Sequence, residues 1–245
     1  MKKTTKIIAA LSAVALSIAI LVAGSWASHQ PSKQQCAWLE IEIVDSTQRC
    51  FVDVKELQNL IYRNGLSPVG KEMDQVSCQA IEACVSKHSM VRRAECYKLH
   101  NGGMRIRVEQ RIPKLQVIST DGHYWVDEER QIMPYRPQTE VDVPIFKGNV
   151  SHSAATTEFY DFACWLSTNR YWKPRIKGVE VKHPKYVVLT QHEVDTRIVL
   201  GDLNAFEDKM KKLQKLYTKG FERLGHTPNY KEYDLRFDKQ VIGRY

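Results

Sequence analysis

The alternation of apolar and polar positions divides the chain into runs of distinct period. Residues 104–113, MRIRVEQRIP, set Met104, Ile106, Val108 and Ile112 against Arg105, Arg107, Glu109 and Arg111, which is the period-two pattern of a strand with one buried face. The run ends on Pro113, which has no amide hydrogen to give a sheet ladder, and KLQVIST follows at once as another strand. A chain passing from one small domain directly into the next has this pattern. Upstream, AWLEIEIV reads as a first strand, and Asp53 with Glu56 has the spacing of a capping box. The helix it opens carries Leu57, Leu60 and Ile61 on one face, and Asn64-Gly65 stops it. A second helix is expected from about Asp74, with Val76, Ala80, Ile81, Cys84 and Val85 as its apolar stripe. VRRAECYKL and MRIRVEQRI then form two strands around the turn HNGG, where Gly102 and Gly103 allow positive φ.

From Lys114 the period changes. KLQVIST, HYWVD, QIMPY and VPIFKG read as short strands, and ATTEFYDFACWLSTN as a helix burying Phe159, Phe162, Ala163 and Leu166. RIKGVEV, YVVLTQ and TRIVLGD return to strands. A long helix follows, with Leu203, Phe206, Met210, Leu213, Leu216, Tyr217, Phe221 and Leu224 on its apolar side. Glu207–Lys211 and Asp208–Lys212 have i,i+4 spacing on its solvated side, in the favourable order. In the closing segment Tyr233, Leu235 and Phe237 alternate with Asp234, Arg236 and Asp238, so residues 232–242 read as a terminal strand. The expected fold class is α+β: a small β-α-α-β-β domain over 37–113, then a mixed-sheet β domain with two helices over 114–245.

The first residues differ from everything after them. Lys2, Lys3 and Lys6 precede residues 7–27, which carry no charge, and about 20 helical residues span a bilayer core. The basic flank lies on one side only, which keeps arm 1–6 in the cytoplasm and exports the remainder. Residues 28–36 then form a polar juxtamembrane linker. The competing reading is a cleaved signal peptide, whose apolar region is normally only about 7–15 residues, although Ser25-Trp26-Ala27 meets a small-x-small rule. Residues 28–245 are exported on either reading.

Charge adds little. Of 36 lysines and arginines, Lys2, Lys3 and Lys6 belong to the arm, and the remaining 33 face 28 acidic residues spread along the chain. That balance gives no nucleic-acid signal. The six cysteines (36, 50, 78, 84, 96 and 164) are too few for a disulfide scaffold of this length, although export permits disulfides. Cys36 and Cys50 can face each other near the first strand, whereas Cys78 and Cys84 point to different sides of a helix. The Cys78/Cys84/Cys96/His100 spacing is wrong for a zinc knuckle. Neither a metal nor a cofactor is expected, and these are read as buried or stray thiols.

No G-x-S-x-G, H-E-x-x-H or phosphate-cradling glycine loop occurs. The eight histidines are scattered, and His192-Glu193 and Asp121-Gly122-His123 have no evident third member. Nothing here points to catalysis.

The ordered set of elements resembles the FtsQ/DivIB family of bacterial cell-division proteins, in which a single N-terminal span precedes a POTRA domain and a β domain. IEACVSKHSMVRRAECYKLHNGGMRIRVEQRIPKLQVI is similar to that family's junction, with Val108, Arg111 and Pro113 at its V-x-x-R-x-P exit. YWVDEERQIMP resembles the following hairpin, and VVLTQHEVDTRIVLGD to the C-terminus resembles the end of the β domain. One departure is Arg130, which stands where the family usually has a turn glycine. The resemblance implies a non-enzymatic scaffold at the division septum, anchored in the inner membrane with its bulk in the periplasm. It implies that the POTRA domain helps place the protein, and that the terminal segment binds FtsB/DivIC-like single-span proteins occurring with FtsL-like ones. On matching positions the partner-binding residues are Tyr233, Leu235, Arg236, Phe237, Gln240 and Val241, with either face of the strand open to the partner. Two other readings are a POTRA component of outer-membrane assembly or secretion, and a secreted or anchored hydrolase. The first needs a many-stranded barrel and the second a pocket of convergent titratable groups.

Overall fold

A computed structural model describes residues 34–44, 51–137, 139, 141–192, 194–224 and 229–245. The expected arm, membrane span and most of the linker, with Cys50 and Glu193, lie outside the described residues. Among those described, no helix is long and apolar enough to cross a membrane.

The first unit runs β1 (Trp38–Val44), α1 (Val54–Arg63), a 3-10 turn (Met73–Gln75), α2 (Cys78–Val85), β2 (Val91–Lys98) and β3 (Gly103–Gln110). Its sheet has the order β1-β3-β2, with β1 parallel and β2 antiparallel to the central β3. Met104, Ile106 and Val108 are fully buried against α1 and α2, as alternation requires, along with Leu57, Ile61, Ile81 and Val85. The alternation stops before Ile112, which is exposed, because the chain leaves β3 at Gln110 and is already turning into the next sheet.

Three local expectations need correction. Asp53 caps α1 by accepting from the Lys55 amide at 2.9 Å, but the capping box does not close, because Glu56 is engaged elsewhere. The second helix starts at Cys78 rather than near Asp74, capped by Ser77, whose hydroxyl oxygen accepts from the Ala80 amide at 3.2 Å. In the β2–β3 turn only Gly102 has positive φ (82°). Gly103 is needed for a different reason: a Cβ there would lie 2.2 Å from the Trp38 indole.

The second unit starts at once with β4 (Pro113–Ser119), followed by β5 (Gly122–Asp127), β6 (Ile132–Pro134), β7 (Ile145–Gly148), α3 (His152–Thr156) and α4 (Glu158–Thr168). Then come β8 (Ile176–His183), β9 (Tyr186–Gln191), β10 (Arg197–Gly201), α5 (Phe206–Lys215), a π-helical turn (Leu216–Gly220), α6 (Phe221–Leu224), β11 (Glu232–Asp234) and β12 (Ile242–Arg244). The strands form one open nine-stranded sheet ordered β12-β11-β10-β9-β8-β7-β4-β5-β6, parallel at β4/β7, β7/β8 and β10/β11. Phe146, Phe159 and Phe162 meet Trp165 and Phe206 in an aromatic layer where α4 and α5 cover the sheet. The single helix expected over 155–169 is broken at Thr157, whose φ of −120° and ψ of −102° are not helical. The long C-terminal helix likewise changes to a π turn after Lys215.

The two units share apolar surface. Tyr124 and Val126 point into the second core, while Trp125 points the other way, joining Met133 in the first. The Trp125 indole meets Phe51 edge-on at 5.7 Å and Tyr135 at 5.3 Å.

Candidate partner-binding edge

The C-terminal residues form an edge, but of a different shape from the one the alternation suggests. Residues 232–242 are not one strand: β11 ends at Asp234, residues 235–241 form a loop, and β12 returns antiparallel to β11. Ile198 faces Tyr233 in parallel register, and Tyr233 faces Gly243 across the hairpin. The Leu235 amide donates to the Val199 carbonyl at 2.8 Å, and the Lys231 amide to that of Arg244 at 2.8 Å. Among the described residues, β12 therefore has a sheet neighbour on one side only.

This arrangement divides the six sequence-predicted residues. Tyr233 and Leu235 are buried in the second core, with Tyr233 edge-on to Tyr217 at 5.5 Å. Arg236, Phe237 and Gln240 are exposed and Val241 is half-buried. Phe237 departs from the phase of Tyr233 and Leu235 because the strand has already ended; it lies 41% exposed on the loop.

Asp234 organises the hairpin. Its side chain is fully buried, and its oxygens accept from Arg236 Nε at 2.9 Å and Nη2 at 2.6 Å, from the Arg236 amide at 3.2 Å and from Arg244 Nη2 at 3.1 Å. Arg244 also reaches Glu232 at 3.0 Å, so one arginine on β12 clamps both acids of β11. The Arg236 guanidinium holds the Asp234 carboxyl below the usual carboxylate range, with Arg244 adding to the effect. Charge-assisted bonds of this kind are about twice as strong as neutral ones.

The loop is held from the helix side. Lys212 on α5 donates to the carbonyls of Phe237 and Asp238, and Lys209 to the Leu200 carbonyl and, at 2.7 Å, to the Asp202 carboxylate. The expected Asp208–Lys212 pair on a solvated face thus gives way to a lysine turned inward, and burial lowers the Lys212 pKa. The close pairing of Gly243 with Tyr230 completes the edge: a Cβ on Gly243 would come within 2.8 Å of that ring.

The sheet's opposite edge is built differently. β6 ends on Pro134, which blunts an edge, and Met133 is buried against the first unit. Around it runs a polar clamp between units. Arg111 reaches the fully buried Asp127 at 2.5 Å, and the other Asp127 oxygen accepts from the amides of Glu129 and Gln131. Glu56 accepts two bonds from Arg136, at 3.0 and 3.1 Å, and one from His88 at 3.1 Å. Arg136 first and His88 second bring the Glu56 pKa down to about 2. Arg130 holds φ at +62° within the β5–β6 turn, although it is not glycine. Its side chain is anchored on Asp161 at 2.6 Å, on the Thr156 carbonyl at 3.0 Å and over the Tyr160 ring.

Sequence reasoning missed Asp234, Arg244, Glu56 and Arg136 as structural organisers. An acid flanked by arginines at 236 and 244 was the available signal, and a hairpin reading of 232–244 would have used it. Among the described residues no three histidine, cysteine or acidic side chains gather as metal ligands would.

A small β-α-α-β-β unit leading directly into an open mixed sheet, which among the described residues ends on the C-terminal hairpin, has the layout of a POTRA-plus-β-domain protein. Residues 34–109 match the POTRA-like domain, and residues 112–244 match the family described as FtsQ/DivIB, C-terminal related. The second match covers more than half of the chain, and the chain belongs to the FtsQ/DivIB family; it is a division-associated POTRA protein. No curated protein matches it.

Proposed function

We propose that this chain is a non-enzymatic scaffold of the bacterial division machinery, anchored in the inner membrane through residues 7–27 with its bulk in the periplasm at the septum. Its role is to bind other single-span division proteins and couple their assembly to septal peptidoglycan synthesis. The outer side of β12 and the 235–241 loop receive an FtsB/DivIC-like partner, itself held with an FtsL-like protein. The observation that carries this reading is the one-sided β12, whose unpaired backbone groups can add a strand. Main-chain pairing supplies affinity, and Arg236, Phe237, Gln240 and Val241 beside it supply selectivity. Tyr233 and Leu235 contribute from beneath, fixing the position of β11 and so of its neighbour.

Photo-crosslinking residues placed at Phe237 and Gln240 in living cells test this. The expected result is capture of a small single-span coiled-coil protein from both positions, and none from a control position on the outer face of α4. Silence at both, with the protein folded and abundant, contradicts the assignment.

A further inference from the structure

Four cysteines are described in the POTRA unit, and they are placed unequally. Cys84 points toward α1, its sulfur 4.0 Å from the Leu60 carbonyl, and Cys36 donates to the Trp38 carbonyl at 3.3 Å. Cys78 and Cys96 instead lie on facing elements of the same core. Cys78 opens α2, and Glu82, one turn later on the same face, accepts the Cys96 backbone amide at 2.7 Å. That bond fixes the helix against the middle of β2 with the two side chains on the shared surface. Cys96 is buried in the first core, and Cys78, half-buried, packs against the same cluster.

We infer that Cys78 and Cys96 are a redox pair that closes into a disulfide, stapling α2 to β2 once the domain is in an oxidising compartment. In cells this rests on the export proposed above; the chemistry of the pair does not. The reaction is thiol–disulfide exchange with an external disulfide, either that of a thiol oxidoreductase or oxidised glutathione. Cys78, the more accessible sulfur, attacks as the thiolate and displaces one thiol of the oxidant, leaving a mixed disulfide. Cys96 then gives up its proton to solvent and attacks the Cys78 sulfur, releasing the second thiol. Two S–H bonds of the protein are lost, one S–S bond forms, and the oxidant's disulfide is reduced to two thiols. Burial raises the Cys96 pKa and the neighbouring Cys78 raises it further, which disfavours Cys96 as the first attacking thiolate and leaves that step to Cys78. The staple ties helix to strand across a loop of modest length, where a cross-link constrains the unfolded chain.

The test uses the full-length chain purified in detergent and equilibrated in a glutathione redox buffer. Thiols are blocked after acid quench, and peptides are mapped by mass spectrometry without reduction. The expected result is a cross-linked peptide joining Cys78 to Cys96, with Cys36 and Cys84 still alkylated. Oxidation should raise the melting temperature by roughly 5–10 °C, and Cys78→Ser or Cys96→Ser should each abolish both the cross-link and the rise. Cys78 and Cys96 recovered as free thiols, as separate glutathione adducts or joined to other cysteines would overturn the inference. The same quench on intact cells separates the two claims, because a pair that closes in the purified protein but stays reduced in cells contradicts export and leaves the pair standing.

Discussion

At the scale of single residues, the structure places unusual side chains where backbone geometry needs them. Arg130 occupies a left-handed conformation that costs a non-glycine residue about 1–2 kcal/mol, and its anchored guanidinium offsets that cost. Arg130→Gly removes strain and anchor together, whereas Arg130→Ala removes only the anchor. Urea denaturation should therefore find the alanine variant less stable than the glycine variant by about 1 kcal/mol; equal stabilities would contradict the account of the turn. Asp234 makes a sharper case. Its replacement by Asn leaves Arg236 and Arg244 without their shared anion, and a loss of about 1–3 kcal/mol is expected, limited by the partial exposure of both arginines. Because its carboxyl is held below the ordinary range, folding binds fewer protons there than the unfolded chain does. The stabilisation is present above the unfolded value near 4 and is lost as pH falls through the depressed folded value. In Asp234→Asn that acid-side loss should be smaller.

At the scale of elements, the terminal hairpin depends on close backbone packing. Gly243→Val drives a side chain into the Tyr230 ring and should release β12 without unfolding the sheet behind it. The expected signature is at least a tenfold loss of partner affinity with a far-ultraviolet spectrum little changed, whereas unchanged affinity would remove β12 from the interface. This element also marks the limit of what the sequence displays. Period-two alternation made β3 legible and set Tyr233 and Leu235 in one phase, because alternation is what a one-sided sheet imposes, but it left open which phase is buried. It could not reveal that the strand stops at Asp234, since residues 235–241 contain no glycine, proline or asparagine to mark a turn. Nor could it show Lys212 turned toward two carbonyls rather than Asp208, a choice made by tertiary contacts between segments 25 residues apart. The break at Thr157 and the π turn after Lys215 were hidden for a similar reason: apolar spacing on either side continues the helical period.

At the scale of the whole molecule, aromatic and polar contacts join the two units. The exit motif has a physical reading here: Arg111 grips the buried Asp127 of β5, and Pro113 begins β4 where one sheet gives way to the next. Trp125, pointing out of the second unit into the first core, is the apolar counterpart. Trp125→Ala should cost about 3–5 kcal/mol and separate the thermal transitions of the two units, whereas a single undisturbed transition would contradict their coupling. Glu56 with Arg136 and His88 is the other tie. The Glu56 carboxyl, brought down to about 2, keeps that tie down to strongly acid pH and loses it only as pH falls through that value.

The central claim is that β12 is a strand-addition edge. Hydrogen exchange on the full-length chain, with and without a purified FtsB/DivIC-like partner, tests it most directly. The account predicts slowed exchange concentrated in residues 240–245 and the 235–239 loop, with β6 and the POTRA sheet unchanged. Protection at β1 or β2 with the 240–245 amides exchanging as before would place the partner on the other sheet and contradict the account.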